Sequence, residues 1–93
     1  MDIRQHIRDI PDFPKPGIVF KDITPLLANG PALRWTVDHF TERYRGAVEM
    51  VIGIESRGFV VGAAVAYALG VGLGLVRKRG KLPAETYSAE YDL

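Results

Sequence analysis

Apolar positions along the chain follow two different periods. Ile3, Ile7 and Ile10 are spaced four and three apart, which predicts a short amphipathic helix over residues 2–10. "PDFPKPG" (residues 11–17) ends it, because its prolines force an extended or turning path. Ile18 to Phe20 continue as a short extended apolar piece. "TPLLANG" then predicts a brief helical turn, with Thr24 as N-cap and Pro25 in the first helical position. From Pro31 onward, Leu33, Val37, Phe40 and Tyr44 recur at helical spacing, and Gly46 closes that helix. "VEMVIGI" (Val48 to Ile54) is β-rich and apolar at successive positions, as a central parallel strand would be. Phe59 to Leu69 is apolar all round and reads as a buried helix, with Gly62, Ala63, Ala64 and Ala66 small enough to let it lie close to a sheet. "VGLGLV" predicts a second strand, "RKRGKLPAE" a basic loop, and "TYSAEYDL" has strand-like character.

Helices and strands alternating through short links define an α/β sheet. Two or three strands make a thin sheet, and buried parallel strands need cover on both faces. Leu93 ends a strand-like run with no turn or cap after it. The expectation is therefore a partial domain, or one that a partner completes, with residues 1–93 forming one part of a single domain.

Composition narrows the function classes. Lys plus Arg is 12 and Asp plus Glu is 11, a balance that argues against bulk nucleic-acid binding. The absence of cysteine excludes disulfides, thiolate metal sites and cysteine nucleophiles, and is compatible with a reducing compartment. "MDIRQHIRDI" is charged throughout and has no apolar core of a secretory signal. From Phe59 to Val76 there are eighteen residues without a charge, followed by "RKR", which opens a membrane-span reading. Gly70, Gly72 and Gly74 oppose it, since each would cost roughly 1 kcal/mol relative to alanine in a helix interior. A helix ending at Gly70 and a strand starting near Val71 explains the run better.

Three stretches carry chemistry. Glu55-Ser56-Arg57-Gly58 interrupts two apolar segments where a strand hands over to a helix. In open parallel sheets ligands bind beyond the carboxyl ends of strands, where helix N-termini offer N–H groups and a positive dipole end to anions. Ser56 adds a hydroxyl, Arg57 a fork of donors, and Gly58 close backbone approach, a set suited to phosphate or pyrophosphate. The competing reading is a solvated Glu55–Arg57 ion pair. In "PKPGIVFKDITPLL", prolines would stiffen a backbone that presents its N–H and C=O groups to a flat ring, with Phe20 stacking on it. By themselves these residues favour a plain connector with Phe20 in the core. "RKRGK" (Arg77 to Lys81) would grip phosphates at the same sheet edge as Arg57, or form a solvated basic turn. "GVGLGL" lacks the third glycine of the dinucleotide fingerprint, and "GLVRKRGKL" has the wrong spacing for a Walker loop. His6 and His39 have no ligand neighbours in spacing, so no metal-ligand set is assigned.

Taken together, "DFPKPGIVFKDITPLL", "GIESRGFVVGAAVAYALGVG" and "VRKRGKLPAETYSAEYDL" resemble the N-terminal half of the adenine phosphoribosyltransferase family, in order and spacing, across essentially the whole chain. The combination is far more specific than any one motif and displaces the blander readings. The resemblance implies a type I phosphoribosyltransferase fold. It also implies transfer of ribose 5-phosphate from phosphoribosyl pyrophosphate to N9 of adenine, giving AMP and pyrophosphate in purine salvage. Magnesium would be bound through the phosphoribosyl pyrophosphate, and the enzyme would be a cytoplasmic homodimer with no nucleic-acid or membrane partner.

By position, the resemblance makes Val19, Phe20 and Lys21 the adenine-contact segment. Val19 and Lys21 would act through backbone groups and Phe20 by stacking. It makes Glu55, Ser56, Arg57 and Gly58 the pyrophosphate loop, with Arg57 its main side-chain contact and a strained peptide bond beside Gly58. It makes Arg77, Lys78 and Lys81 the basic segment leading into a mobile catalytic loop, some of it acting across the dimer interface. No catalytic residue is assigned. The family's catalytic carboxylate is expected beyond Leu93, as is the loop that holds the ribose hydroxyls and 5-phosphate, so the 93-residue chain alone is expected to be inactive. Two alternatives stay open: a non-catalytic module that binds purine or pyrophosphate, and another purine phosphoribosyltransferase.

Overall fold

A computed structural model describes residues 1–78. The chain divides into two compact units, Met1–Tyr44 and Arg45–Leu93. The strand-like "TYSAEYDL" and most of the basic loop, including Lys81, lie outside the described residues.

The first unit begins with a single 3-10 turn, Ile3–His6, capped by the Asp2 carboxylate, which accepts from the Arg4 N–H at 3.0 Å. The helix expected over residues 2–10 is therefore corrected. Ile7 is already extended, with φ −114°, and Arg8–Ile10 form strand β1. Strand pairing supplies the reason. β1 runs antiparallel to β2 (Phe20–Asp22) in the register Arg8↔Asp22, Asp9↔Lys21 and Ile10↔Phe20. This register faces two pairs of opposite charges across the ladder. Arg8 Nε donates to Asp22 Oδ2 at 3.0 Å, and Lys21 Nζ lies 2.7 Å from Asp9 Oδ1. Ladder bonds and cross-strand ion pairs outweigh a nine-residue helix that would be marginal by itself.

Helix α1 (Thr24–Ala28) starts one residue earlier than its sequence suggests. Thr24 lies inside it and Ile23 occupies the cap position, without a side-chain capping bond. The capping role passes to Asp22, whose Oδ1 accepts from the Thr24 N–H at 2.9 Å. Asn29 then closes α1 and opens α2 (Gly30–Tyr44), its Oδ1 accepting from Ala32 N–H at 2.9 Å. Leu26, Ala32, Thr36 and Thr41 are the buried positions of this pair, and both threonine hydroxyls donate back to carbonyls one turn earlier. Gly46, at φ 74°, terminates the segment as expected.

In the second unit, β3 (Met50–Ile54) and β4 (Gly72–Val76) pair in parallel, joined by α3 (Arg57–Leu69), which forms a βαβ unit. The α3 C-terminus is a left-handed glycine, Gly70 at φ 72°, after which the chain turns directly into β4. No helix among the described residues is long and apolar enough to cross a membrane, and the uncharged run is a helix and a strand, not one helix.

One expectation fails in degree. α3 is apolar all round but buries only one side, through Gly62, Val65 and Ala66, while Val60 is 54% and Tyr67 90% exposed. The strand also shows an open side. Met50, Ile52 and Ile54, which share one face of β3, are each about half exposed. The apolar pattern predicts two-sided burial, but only the side under α3 is covered.

Candidate functional site

The sheet of the second unit brings the described candidate anion-binding residues, Glu55 to Gly58 with Arg77 and Lys78, to one edge. The parallel register ends at Ile54↔Val76, so Glu55 and Arg77 are the first residues beyond two neighbouring strand ends. The Glu55 N–H donates to the Val76 carbonyl at 3.0 Å, extending the ladder by one bond. The chain then enters α3 at Arg57 after the cap residue Ser56, whose side chain makes no capping bond. The Glu55–Ser56 peptide is cis.

Close approach of the loop to the strand is what sets the glycine pattern here. A Cβ at Gly53 would lie 2.7 Å from the Gly58 carbonyl oxygen, too near for any side chain. A Cβ at Gly58 would meet only ordinary contacts, the nearest at 3.5 Å. The fold's own demand for glycine therefore falls on Gly53, and it lets the helix start sit directly over the strand.

Electrostatically, the loop is organised by Glu55. Its Oε2 lies 3.5 Å from Arg77 Nε, and its Oε1 accepts from the Lys78 backbone N–H. Arg77 in turn lies over the Phe59 ring, with its guanidinium carbon 5.7 Å from the centroid. The ion-pair partner of Glu55 is thus Arg77, where the sequence suggested Arg57 as the bland alternative. Ser56 and Arg57 are exposed, and Gly58 is half-buried. Lys78 is exposed. The sequence pattern does not place Phe59 in this cluster. Its signal is present in the sequence only if the strand register is known, since nothing local links positions 59 and 77.

The expected purine segment lies in the first unit. Val19 is 53% exposed, just ahead of β2. Phe20 is half-buried, and its ring meets Phe13 edge-on at 5.2 Å with an interplanar angle of 70°. Phe13 precedes a cis proline bond. The Lys21 ammonium is engaged with Asp9 at 2.7 Å, so its side chain serves the β1–β2 ladder. Neither Asp9 nor Phe13 was singled out in the sequence.

Asp22, next in the strand, is the one described group at this segment with a strongly displaced pKa. Hydrogen bonding from the Thr24 N–H, and then from Arg8, holds its carboxyl down at about 2, against an ordinary 3.8. It fixes the turn between β2 and α1 as a carboxylate. Among the described residues, no group of three or more histidines or carboxylates comes together to hold a metal ion.

A βαβ unit with an anion-suited loop at the carboxyl edge of a parallel sheet, preceded by an antiparallel hairpin and two helices, is a partial type I phosphoribosyltransferase fold. The chain is homologous over its whole length to adenine phosphoribosyltransferases, consistent with the N-terminal half of such an enzyme. It is 58% identical over 94 aligned positions to the adenine phosphoribosyltransferase of Acaryochloris marina, an alignment that covers 100% of this chain and 55% of the relative. The crystal structure of the enzyme from Thermoanaerobacter pseudethanolicus superimposes with a TM-score of 0.88 at 49% identity, covering 97% of this chain and 54% of that one. The Saccharomyces cerevisiae enzyme, solved with an iminoaltritol bisphosphate and adenine, gives a TM-score of 0.83 at 37% identity, covering 94% and 54%. The chain thus spans about half the length of the relatives it matches. No family model matches it.

Proposed function

We propose that this chain supplies the purine and pyrophosphate segments of an adenine phosphoribosyltransferase, which converts adenine and phosphoribosyl pyrophosphate to AMP and pyrophosphate in purine salvage. The observation that carries this reading is the 58% identity across the entire chain to an enzyme of that activity. The adenine in the yeast relative's structure supports the choice of base. Residues 1–93 are read as one part of a single phosphoribosyltransferase domain.

Breaking the glycosidic bond of the donor builds negative charge on the departing pyrophosphate. Catalysis therefore rests on N–H donors and cations aimed at that group. Arg57, Ser56 and the backbone at Gly58 would take the leaving group at the start of α3, Arg77 and Lys78 would add positive charge from the end of β4, and Lys81 would add a further cation. Val19 and Lys21 would read the base edge through their backbone groups while Phe20 packs on its face. Magnesium, bound through the donor's own phosphate oxygens, would neutralise part of their charge. The described residues form no ligand set of their own for it. In the cell the enzyme would be a cytoplasmic homodimer.

The test is AMP formation from adenine and phosphoribosyl pyrophosphate. The 93-residue chain alone should turn over negligibly, and mixing it with the C-terminal half of the Acaryochloris relative should restore activity. Robust turnover by the chain alone would mean that its catalytic groups lie elsewhere than supposed. Purine binding without restored turnover would identify a non-catalytic binding module instead.

A further inference from the structure

We propose that Glu55 is the positioning residue of the anion loop: it ties the exits of β3 and β4 together and holds Arg77 and the Lys78 N–H in place for pyrophosphate. This rests on the pyrophosphate reading of the loop given above.

A carboxylate inside a pyrophosphate loop is a paradox. As a direct contact it would repel the ligand. Its two oxygens are, however, both directed elsewhere. One accepts from the Lys78 backbone N–H and the other faces Arg77 Nε at 3.5 Å. The Glu55 N–H is bonded to the Val76 carbonyl at 3.0 Å, so its backbone reaches the last residue of β4 and its side chain the two residues that follow it. Arg77 is further confined by the Phe59 ring, which belongs to the first turn of α3. The end of β3 and the start of α3, neighbours in the chain, therefore converge on a guanidinium carried by the distant end of β4.

The pair is partly shielded, with side-chain exposures of 35% for Arg77 and 27% for Glu55, so its geometry is less averaged by solvent than that of an open surface pair. Held between the Glu55 carboxylate and the Phe59 ring, the Arg77 guanidinium has a defined direction. A flexible arginine would have to be ordered when the ligand arrives; one held between a carboxylate and a ring is ordered beforehand. Glu55 would thus act through Arg77 and the loop backbone without touching pyrophosphate.

The idea makes a counter-intuitive prediction. Glu55→Gln removes a negative charge beside an anion site, which by simple electrostatics should tighten binding. If Glu55 positions Arg77, the substitution weakens it instead. Calorimetry with inorganic pyrophosphate on the full chain should show Glu55→Gln about threefold weaker or more. Glu55→Ala, which also loses the acceptor for Lys78, should be weaker still. The two effects of Glu55→Gln and Arg77→Gln should not add, because the double variant has no pair left to lose. A ligand-independent readout accompanies this: in the nuclear magnetic resonance spectrum, Glu55→Gln should shift the Arg77 Nε–H while Glu55→Ala shifts the Lys78 amide as well.

Unchanged or tighter binding in Glu55→Gln would overturn the proposal, as would additive losses. A wild-type chain that binds no pyrophosphate would overturn the reading of the loop itself, and the proposal with it. Binding by the wild type with no coupling between positions 55 and 77 would sink the positioning role alone.

Discussion

Arg57 opens α3, where the positive end of the helix dipole already favours an anion. A charge-assisted bond from its guanidinium to pyrophosphate would be among the stronger contacts available to the loop. Arg57→Ala should therefore weaken pyrophosphate binding by about tenfold or more, with a smaller effect on adenine. Equal loss of both ligands, measured by calorimetry, would show that the side chain is chiefly structural. Asp22 offers a test of a different kind. Its carboxyl is held at about 2 by the Thr24 N–H and Arg8, below the ordinary 3.8 expected of the unfolded chain. A depressed pKa means that the native state releases the proton more readily, so the contribution to stability is fully present above pH 3.8. It fades as pH falls from 3.8 towards 2. The Thr24 amide resonance should follow the same titration, and Asp22→Asn should abolish it. A midpoint near 3.8 in the folded chain would mean that these bonds are not formed in solution.

At the scale of elements, the decisive contact is that of α3 on β3. Gly53→Ala would drive a methyl group to 2.7 Å from the Gly58 carbonyl, a backbone atom that cannot swing away. Overpacking of this kind should cost about 1–3 kcal/mol, read from urea unfolding. Gly74→Ala is the control. There a Cβ would lie 2.8 Å from Ile52 Cδ1, the far end of a flexible side chain that can turn aside. That variant should stay within about 1 kcal/mol of the parent. Equal losses at the two positions would mean that α3 does not approach the strand so closely. Much of this region is legible without coordinates. The helix from Phe59 to Leu69, its glycine stop and both flanking strands follow from runs of apolar and small residues. The N-terminal segment is not, because Ile3, Ile7 and Ile10 satisfy a helical period while Asp9 and Arg8 find partners only across a ladder whose second strand lies a dozen residues on. The site divides the same way. The loop residues 55–58 announce themselves as a polar break. The Glu55–Arg77 pair and the Phe59 ring depend on parallel register, which no local pattern encodes.

For the molecule as a whole, the balance between buried and exposed apolar surface decides how it should unfold. Among the described residues the buried apolar side chains are Leu26, Ala32, Val65 and Ala66, two of them alanines. Among these described residues no large side chain is fully buried, while Met50, Ile52, Ile54, Val60 and Tyr67 are all substantially exposed. Cooperative unfolding needs a core whose loss exposes much area at once, and small units with little buried surface are marginal. The two compact units moreover share their residues into sets of fewer than fifty each. The 93-residue chain should accordingly unfold over a broad range of urea, with a slope at or below about 1 kcal/mol per molar. Its ligands change that only if they bind the native state, in which case the midpoint rises with ligand concentration by mass action. Adding pyrophosphate should then raise the midpoint for the wild type and less so for Arg57→Ala. A sharp two-state transition without ligand, with coincident fluorescence and circular dichroism curves, would show instead that Trp35 in the first unit and the βαβ unit of the second melt together, as one core larger than their separate burial provides.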